Sequence, residues 1–205
     1  VIPNTWLAMS AGCRHHWHVQ QRCWVPAITG VGQTTRQSVS VVGDAAGIIG
    51  ADASVLQGEA VAREVIACLE GTQQNPVGNA AHPWLVRQQR LLRRCLDQFY
   101  PPAQEFELPP DDETIVCRCE EVTAGEIRRV AALGCVGPNQ GKAFTRCGMG
   151  PCMGRKCGVT VSRLIAEHHG LAMDGVGYYR IRPPVKPITV GQLAELEIDA
   201  DAHTD

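Results

Sequence analysis

Apolar residues recur at helical spacing in two stretches of the first half of the chain. The first stretch, 52–69, places its apolar side chains near one stripe, and Gly71 follows as a stop signal. The second, 83–100, ends at two consecutive prolines, which cannot continue a helix. Ahead of both, residues 1–43 read as loops and short strands, and the β-branched run 38–42 predicts a strand. The first half therefore predicts a strand, a glycine-rich turn and two helices.

Shorter elements are predicted in the second half of the chain. Residues 115–116 read as a short strand, and Thr123 with Glu126 has the form of a capping box. The helix that this box begins would run to Gly134, and a Gly-Pro-Asn-Gln-Gly loop would follow it. A last helix carries apolar residues on one face and stops at Gly170. The predicted fold class is α+β to mostly α, with a strand–turn–helix unit before a small helical domain.

Changes in composition divide the chain into units. The two predicted helices of the first half are joined by a loop rich in Gln, Asn and Gly, 72–81. Residues 101–113 are rich in proline and acidic residues and lack a periodic run, which predicts a linker at a domain boundary. Near the end, 182–187 reads as extended chain lying over another surface, and the last acidic residues are expected to fray. The predicted units are 1–71, 72–113, 114–172 and 173–205.

Composition and charge exclude some classes of function. Among 205 residues, 19 Lys and Arg stand against 21 Asp and Glu, and the two signs are interspersed without the basic stripe of a nucleic-acid-binding protein. No run approaches the roughly 18 apolar residues of a membrane span. Since no signal-peptide pattern occurs, we expect a cytoplasmic protein. The chain begins at Val1 in what reads as an extended segment, which predicts a piece of a longer protein.

Cysteine changes this picture most. The chain has ten cysteines, and six of them lie between positions 117 and 157. Close C-x-C and C-x4-C pairs in a chain without a signal peptide favour ligation of a metal or cluster over disulfides. Cys135 has no closely spaced partner in the sequence and is predicted to be structural. The cysteines outside this region, which read as buried small apolar residues, are Cys13, Cys23, Cys68 and Cys95.

Five cysteines compete for four ligand positions. A [2Fe-2S] cluster needs four thiolates, and closely spaced pairs supply adjacent positions. Glycines beside the cysteines let N–H groups approach the sulfurs, and Cys157 near a helix N-terminus gains from the helix dipole. Spacing alone does not choose between Cys147 and Cys157, and a four-cysteine zinc site also stays open, although zinc sites use C-x-C less often. The five are Cys117, Cys119, Cys147, Cys152 and Cys157.

The run 41–51 carries a second constellation. A strand that ends in Gly-Asp, followed by small residues that open a helix, suits a dinucleotide, because the Asp carboxylate can accept a hydrogen bond from a ribitol hydroxyl. The small residues let the backbone and the helix N-terminus approach a flavin and its pyrophosphate. A tight turn against a packed helix needs the same residues, so both interpretations stay open on this run alone. The candidate flavin contacts are Gly43, Asp44, Ala46, Gly47, Ile48 and Gly50.

Three short motifs in the cysteine region agree with one known family. They are Cys-Arg-Cys-Glu-Glu-Val at 117–122, Thr-Arg-Cys-Gly-Met-Gly-Pro-Cys at 145–152 and Gly-Arg at 154–155. Together they resemble the BFD-like (bacterioferritin-associated-ferredoxin-like) [2Fe-2S] domain at the C-terminus of FAD-dependent amino-acid and opine dehydrogenases. The resemblance implies a BFD-like domain over 114–172, with position 147 variable. It also implies a ligand set, namely Cys117, Cys119, Cys152 and Cys157.

The Gly-Asp run supports the same family. It resembles the second FAD-contacting motif of flavoproteins with two dinucleotide-binding domains, and the stretch before it resembles theirs as well. This implies that 1–71 is the incomplete C-terminal segment of an FAD-binding domain. The Gly-x-Gly-x-x-Gly turn, which grips the ADP half of FAD in the family, does not occur here. We therefore expect a truncated or split subunit that encodes only part of the flavin site.

The resemblance implies an oxidoreductase subunit that passes electrons between FAD and a [2Fe-2S] cluster. The family includes opine, hydroxyproline and proline dehydrogenases and the cyanide-forming glycine oxidase. A flavin-containing partner subunit of a hetero-oligomer would oxidise the substrate, and this chain, in which no catalytic residue is predicted, is expected to be inactive alone. The alternative is a stand-alone four-cysteine cluster or zinc module with a binding or regulatory role and no flavin.

Overall fold

Helices and two small hairpins make up the structure, a computed structural model whose described residues are 2–30, 32–71, 83–101, 103 and 107–196. The described helices are α1 (Trp6–Ser10), α2 (Ala51–Leu69), α3 (Pro83–Phe99), α4 (Ala124–Ala132), α5 (Pro138–Thr145), α6 (Gly158–His169), α7 (Met173–Val176) and α8 (Val190–Ala194). The antiparallel strand pairs are β1 (His15–His18) with β2 (Cys23–Pro26), and β3 (Ile115–Cys117) with β4 (Val122–Thr123). None of these described helices has the length and hydropathy that crossing a bilayer requires.

The main hydrophobic core lies in the cysteine-rich half of the chain. Helices α4 and α6 pack against each other there, with Ile127 from the first and Leu164 and Ile165 from the second almost fully buried. Trp24 of β2 belongs to the same core. The N-terminal hairpin therefore packs directly on the cysteine-rich half.

The ends of the two core helices follow the sequence prediction. At the start of α4, the Thr123 side chain accepts a hydrogen bond from the Glu126 N–H, and the Glu126 carboxylate accepts one from the Thr123 N–H. This is the predicted capping box, and it satisfies two N–H groups that the first turn leaves without helical partners. Helix α6 ends at Gly170, which has a φ of 62° and so adopts the left-handed conformation that glycine tolerates best. Both helices are confirmed.

Helix α5 contradicts the sequence prediction, which placed a loop over its first residues. Gly137 is its N-cap and Pro138 occupies the first turn, where the missing N–H costs nothing. Gly141 is buried, and a Cβ added there would lie 3.5 Å from the Cys135 sulfur and 3.8 Å from Ile165. This helix is held by close packing on the core rather than by an apolar stripe, so periodicity did not reveal it.

The predicted strand at 38–42 is also wrong. Ser38 lies in a turn with a φ of 64°, and the strand pairing of this segment among the described residues is limited to an isolated bridge between Gln33 and Ser40. A strand is stabilised by hydrogen bonds to a neighbouring strand. Among the described residues this segment finds only that bridge, so its β-branched composition does not produce a sheet.

Helices α2 and α3 are confirmed close to their predicted bounds. Helix α2 buries Ala53 and Val61, whereas Ile66 is 53% exposed and Leu69 is 82% exposed. Helix α3 likewise leaves apolar side chains exposed, including Leu91. The predicted stripes therefore exist as sequence patterns but lie largely at the surface. The loop expected at 72–81 and the acidic end expected to fray lie outside the described residues.

A buried carboxylate ties the linker to both halves of the chain. Glu107 is 7% exposed and lies 3.2 Å from the Arg22 guanidinium of the first hairpin and 3.3 Å from that of Arg163 in α6. These contacts are ion pairs without hydrogen-bond geometry. The predicted division into four units stays a prediction, but the end of the linker is anchored to its neighbours.

Candidate metal centre

Three buried thiols form the centre of the site. The sulfurs of Cys117, Cys147 and Cys157 all lie within 4.8 Å of one another, and each residue is about 1% exposed. Cys117 ends β3, and Cys157 is the N-cap residue of α6. The end of β3 and the two ends of the loop 147–157 thus bring thiols to one point inside the core.

Two further thiols form a pair beside this group. Cys119 is exposed and Cys152 is half-buried, and their side chains are in hydrogen-bonding contact. The backbone N–H of Cys152 also points at the Cys119 sulfur. The backbone of the 154–156 loop donates in turn to the Cys152 sulfur. Such N–H groups stabilise negative charge on sulfur, which suits thiolate ligands.

Ionisation of the thiols reflects these contacts. A hydrogen bond from the Cys157 thiol lowers the pKa of Cys147 to about 7, and the same neighbour interaction raises the pKa of Cys157. Burial raises the pKa of Cys152, but donation from the Lys156 N–H and its neighbours outweighs burial, so that pKa lies below its ordinary value. Cys147 and Cys152 therefore ionise more readily than an ordinary cysteine.

The predicted ligands are divided between the two groups. Cys117 and Cys157 lie in the buried group, and Cys119 and Cys152 form the adjacent pair. Cys147, which the resemblance left variable, lies in the buried group as well. The ligand set Cys117, Cys119, Cys152 and Cys157 stays a prediction, since all five thiols lie in one region.

The other cysteines have different environments. Cys135 is 1% exposed and donates to the Gly137 carbonyl oxygen at 3.2 Å, as a structural residue would. Cys13 and Cys23 are buried, as predicted. Cys68 and Cys95 are exposed, so the prediction that they are buried is wrong. Both lie on helices whose apolar stripes are largely at the surface.

The glycines in and next to the loop 147–157, called the cysteine loop below, pack against two tyrosines, a role that the sequence prediction missed. A Cβ added at Gly148 would lie 2.5 Å from the ring of Tyr179, and one added at Gly154 would lie 2.6 Å from the same ring. A Cβ at Gly158 would collide with the Tyr178 hydroxyl. These glycines make room for two tyrosines from the segment after α7. The only sequence signal is the adjacent Tyr-Tyr pair, which has no periodicity.

Two arginines in or next to the cysteine loop contact groups other than the thiols. Arg146 donates to the Glu120 carboxylate at 2.9 Å. Arg155 lies 5.0 Å from the centre of the Trp6 ring and donates to the Val185 carbonyl oxygen at 2.7 Å. The extended tail is thus fastened to the cysteine loop, in agreement with the prediction that it lies over another surface.

The Gly-Asp run forms a single turn before α2. A 3₁₀ helix, Gly43–Ala46, occupies its first part. The exposed Asp44 carboxylate accepts hydrogen bonds through Oδ1 from the N–H groups of Ile49 and Gly50, at 3.0 and 3.1 Å. The structure thus brings all six candidate flavin residues together.

Gln21 is a second contributor to this turn that sequence reasoning missed. Its side-chain oxygen accepts from the Ile48 N–H at 3.0 Å, and its side-chain nitrogen donates to the Ile48 carbonyl oxygen at 2.8 Å. The same nitrogen also donates to Asp97 of α3 at 3.1 Å. A lone glutamine 27 positions away carries no sequence signal for this contact.

Comparisons with known proteins point to one class of enzyme. Residues 112–196 match the family model of the sarcosine oxidase A3 domain. The chain is 42% identical over 205 residues to an opine oxidase subunit of Agrobacterium tumefaciens (strain Ach5), a match that covers 98% of this chain and 41% of that protein. The chain is similar to part of an oxidoreductase subunit. It is also 30% identical over 210 residues to hydrogen cyanide synthase subunit HcnB of Pseudomonas aeruginosa, covering 97% of this chain and 43% of that protein.

A solved structure supports the fold. The crystal structure of L-proline dehydrogenase from P. horikoshii matches with a TM-score of 0.70 and 19% identity, over 93% of this chain and 37% of that one. This likeness shows a shared fold of mixed helix and sheet. The chain spans about two fifths of the length of the curated relatives it matches.

Proposed function

We propose that this chain is the electron-transfer part of an oxidoreductase subunit of the amino-acid or opine dehydrogenase type, with a [2Fe-2S] cluster held beside FAD. The observation that carries the proposal is the gathering of five thiols from two loops in one region, three of them buried with their sulfurs within 4.8 Å of one another. Oxidoreductase relatives align with nearly the whole chain, which favours a redox centre over a regulatory metal site.

The five thiols fit the requirements of a [2Fe-2S] cluster. Four thiolates are needed, and we assign them to Cys117, Cys119, Cys152 and Cys157 in a BFD-like domain. N–H donors around Cys152 offset the negative charge of bound thiolates, and burial of Cys117 and Cys157 keeps water from one side. A bound cluster of this kind accepts and releases one electron at a time, which suits a step between a flavin and another carrier.

The turn before α2 fits one part of FAD. Asp44 uses Oδ1 to hold the turn, and its exposed carboxylate leaves Oδ2 to accept from a ribitol hydroxyl. A Cβ added at Gly50 would meet nothing within 4 Å, so there is open space at the N-terminus of α2 for an approaching group. N–H groups at a helix N-terminus favour negative charge. This chain would supply only these contacts, and the remaining flavin contacts would come from additional polypeptide.

A partner subunit completes the proposal. The relatives are named as subunits, and this chain corresponds to about two fifths of each. We expect a flavin-containing, substrate-oxidising partner in a cytoplasmic hetero-oligomer, with an opine or amino acid as substrate. The chain alone would bind FAD weakly and would not oxidise substrate.

Metal, sulfide and flavin analysis tests the proposal. The chain is purified anaerobically, its visible spectrum is recorded, and iron, zinc, acid-labile sulfide and FAD are measured. We expect two irons and two sulfides per chain with little flavin. A colourless protein with one zinc would sink the cluster assignment and favour the alternative, a four-cysteine zinc module, which the same thiols could also form.

A further inference from the structure

Tyr179 sits against the loop that carries the thiols. It is 3% exposed, and its hydroxyl donates to the Cys147 carbonyl oxygen at 2.9 Å. The hydroxyl also lies beside the Cys147 thiol. The ring occupies the space that Cβ atoms at Gly148 and Gly154 would fill. One side chain therefore contacts the loop 147–157 near both of its ends.

The segment that carries Tyr179 is itself held in place. The Asn139 side chain donates to the Tyr178 carbonyl oxygen and accepts from the Arg180 N–H, both at 2.8 Å. Just before the tyrosines, the Ser162 hydroxyl donates to the Gly177 carbonyl oxygen at 3.0 Å. Helices α5 and α6 thus fix the backbone on either side of Tyr179. A side chain that is anchored in this way can transmit the position of the core to the loop.

Tyr178, the residue before Tyr179, packs against α1, the first hairpin and the start of α6. Its ring meets the rings of Trp6 and Trp24 with centroids 6.0 Å away in each case, and its hydroxyl lies against Gly158 at the start of α6. The two tyrosines therefore connect the first hairpin and α1 to the cysteine loop. Their rings are 5.8 Å apart and nearly edge to face.

We propose that Tyr179 is a positioning residue for the thiolate centre, holding the 147–157 loop closed over its buried thiols. The inference rests on the proposed metal–thiolate centre. Opening of the loop would require the Cys147–Tyr179 hydrogen bond to break and the ring to leave the two glycines. Tyr179 thereby limits the access of water and chelators to the buried sulfurs, and its hydroxyl dipole adds to the field at the centre.

The test compares three variants of the full chain, purified anaerobically with its metal. Tyr179→Phe keeps the ring and removes the hydroxyl, Tyr179→Leu removes both, and Tyr100→Phe is the matched control on a side chain that is 78% exposed. Bleaching of the cluster by an iron chelator is followed by absorbance, and the midpoint potential is measured by titration. Circular dichroism reports whether each variant is folded.

We expect Tyr179→Phe to lose its cluster between about twofold and tenfold faster than the unmodified chain, since one hydrogen bond contributes roughly 0.5–1.5 kcal/mol. Its midpoint potential should fall. The Tyr179 hydroxyl beside the Cys147 thiol favours negative charge there, so removing it makes the reduced, more negative cluster less stable. Tyr179→Leu should release the cluster faster still, and Tyr100→Phe should change neither quantity. Unchanged release and potential in a folded Tyr179→Phe would overturn the proposal.

The two proposals fail in different ways. If the purified chain holds zinc, the cluster assignment fails, and release of zinc to a chromogenic chelator from the same variants tests Tyr179 instead. Faster zinc release from Tyr179→Phe than from Tyr100→Phe would support the positioning role. Equal zinc release from those two variants would refute it.

Discussion

At the scale of single residues, sulfur chemistry and glycine placement control the site. Cys147 and Cys157 have equal spacing from Cys152 in the sequence, and both lie beside Cys117 in the fold. Cys157 is the N-cap residue of α6, where the helix dipole favours a thiolate, but its contact with Cys147 raises the pKa of Cys157 and lowers that of Cys147. The choice of Cys157 as the fourth ligand therefore stays a prediction of the resemblance.

Serine replacements test that assignment. We expect Cys157→Ser to lose the visible absorbance and most of the iron, because an essential thiolate is removed. Cys147→Ser should retain both, because the proposed ligand set does not include Cys147. Iron and sulfide content after anaerobic purification measures the outcome. The reverse result, with iron lost only from Cys147→Ser, would assign the fourth ligand to Cys147.

Alanine at Gly148 tests the seat of the Tyr179 ring. Gly148 has a φ of 92° and its added Cβ would overlap the ring, whereas Gly134 has a φ of 97° and its added Cβ would meet nothing within 4 Å. Gly134→Ala therefore carries backbone strain alone. We expect Gly148→Ala to lower the free energy of unfolding by about 1–3 kcal/mol more than Gly134→Ala, as measured by urea denaturation. In a Tyr179→Leu background the difference should shrink, since the overlapping ring is gone.

At the scale of elements, capping signals predicted helices better than periodicity predicted burial. The capping box at Thr123 and the glycine stop at Gly170 were both confirmed, because caps depend on hydrogen bonds within a few residues. The apolar stripe of α2 lies largely at the surface, because burial depends on what packs against the helix. Helix α5 was missed, since its buried glycine depends on contact with α6.

Removing the two capping boxes tests how far each helix supports the fold. Thr123→Ala should cost about 1 kcal/mol of the free energy of unfolding, because α4 buries Ile127 and Val130 in the core. The control is Thr189→Ala, which removes the equivalent box from α8, a helix with no buried residues. Thermal or urea unfolding should show almost no change in the free energy of unfolding for Thr189→Ala. Equal losses from both substitutions would show that α8 contributes to the cooperative core.

At the scale of the whole molecule, the first hairpin and the cysteine-rich half share a core. Trp24 belongs to the cluster of buried residues around the thiols, and the Trp17 N–H donates to Asp174 at 2.8 Å. The Gly-Asp turn before α2 is attached to the same hairpin through Gln21. These contacts place the two proposed cofactor regions on one connected framework.

Glu107 is the residue with which to test this connection. Glu107→Gln leaves two arginines near a neutral amide, so we expect it to lower the free energy of unfolding by about 2 kcal/mol. This is less than the effect for a fully buried pair, because the Arg22 and Arg163 side chains are 32% and 27% exposed. Glu59→Gln, which removes an exposed ion pair with Arg63 on α2, should change stability by less than about 0.5 kcal/mol. Urea denaturation compares them, and similar small effects would show that Glu107 does not couple the two halves.

Features that depend on near neighbours could be predicted from the amino-acid sequence without the fold. These are the capped helices, the two short loops that carry paired cysteines, and the Gly-Asp turn before α2. Thiolate ligation stays a prediction, and the spacing did not decide which sulfurs meet: the members of each closely spaced pair are divided between the buried group and the adjacent pair.

The groups that meet across long separations were visible only in the folded chain. Folding brings Cys147 to Cys117, places Gln21 on the Gly-Asp turn before α2, and packs Tyr179 on the glycines of the cysteine loop. It also leaves the segment 38–42 without a sheet. The physical reason is that packing and strand pairing depend on surfaces contributed by distant residues, whereas capping and ligand spacing depend on a few consecutive ones.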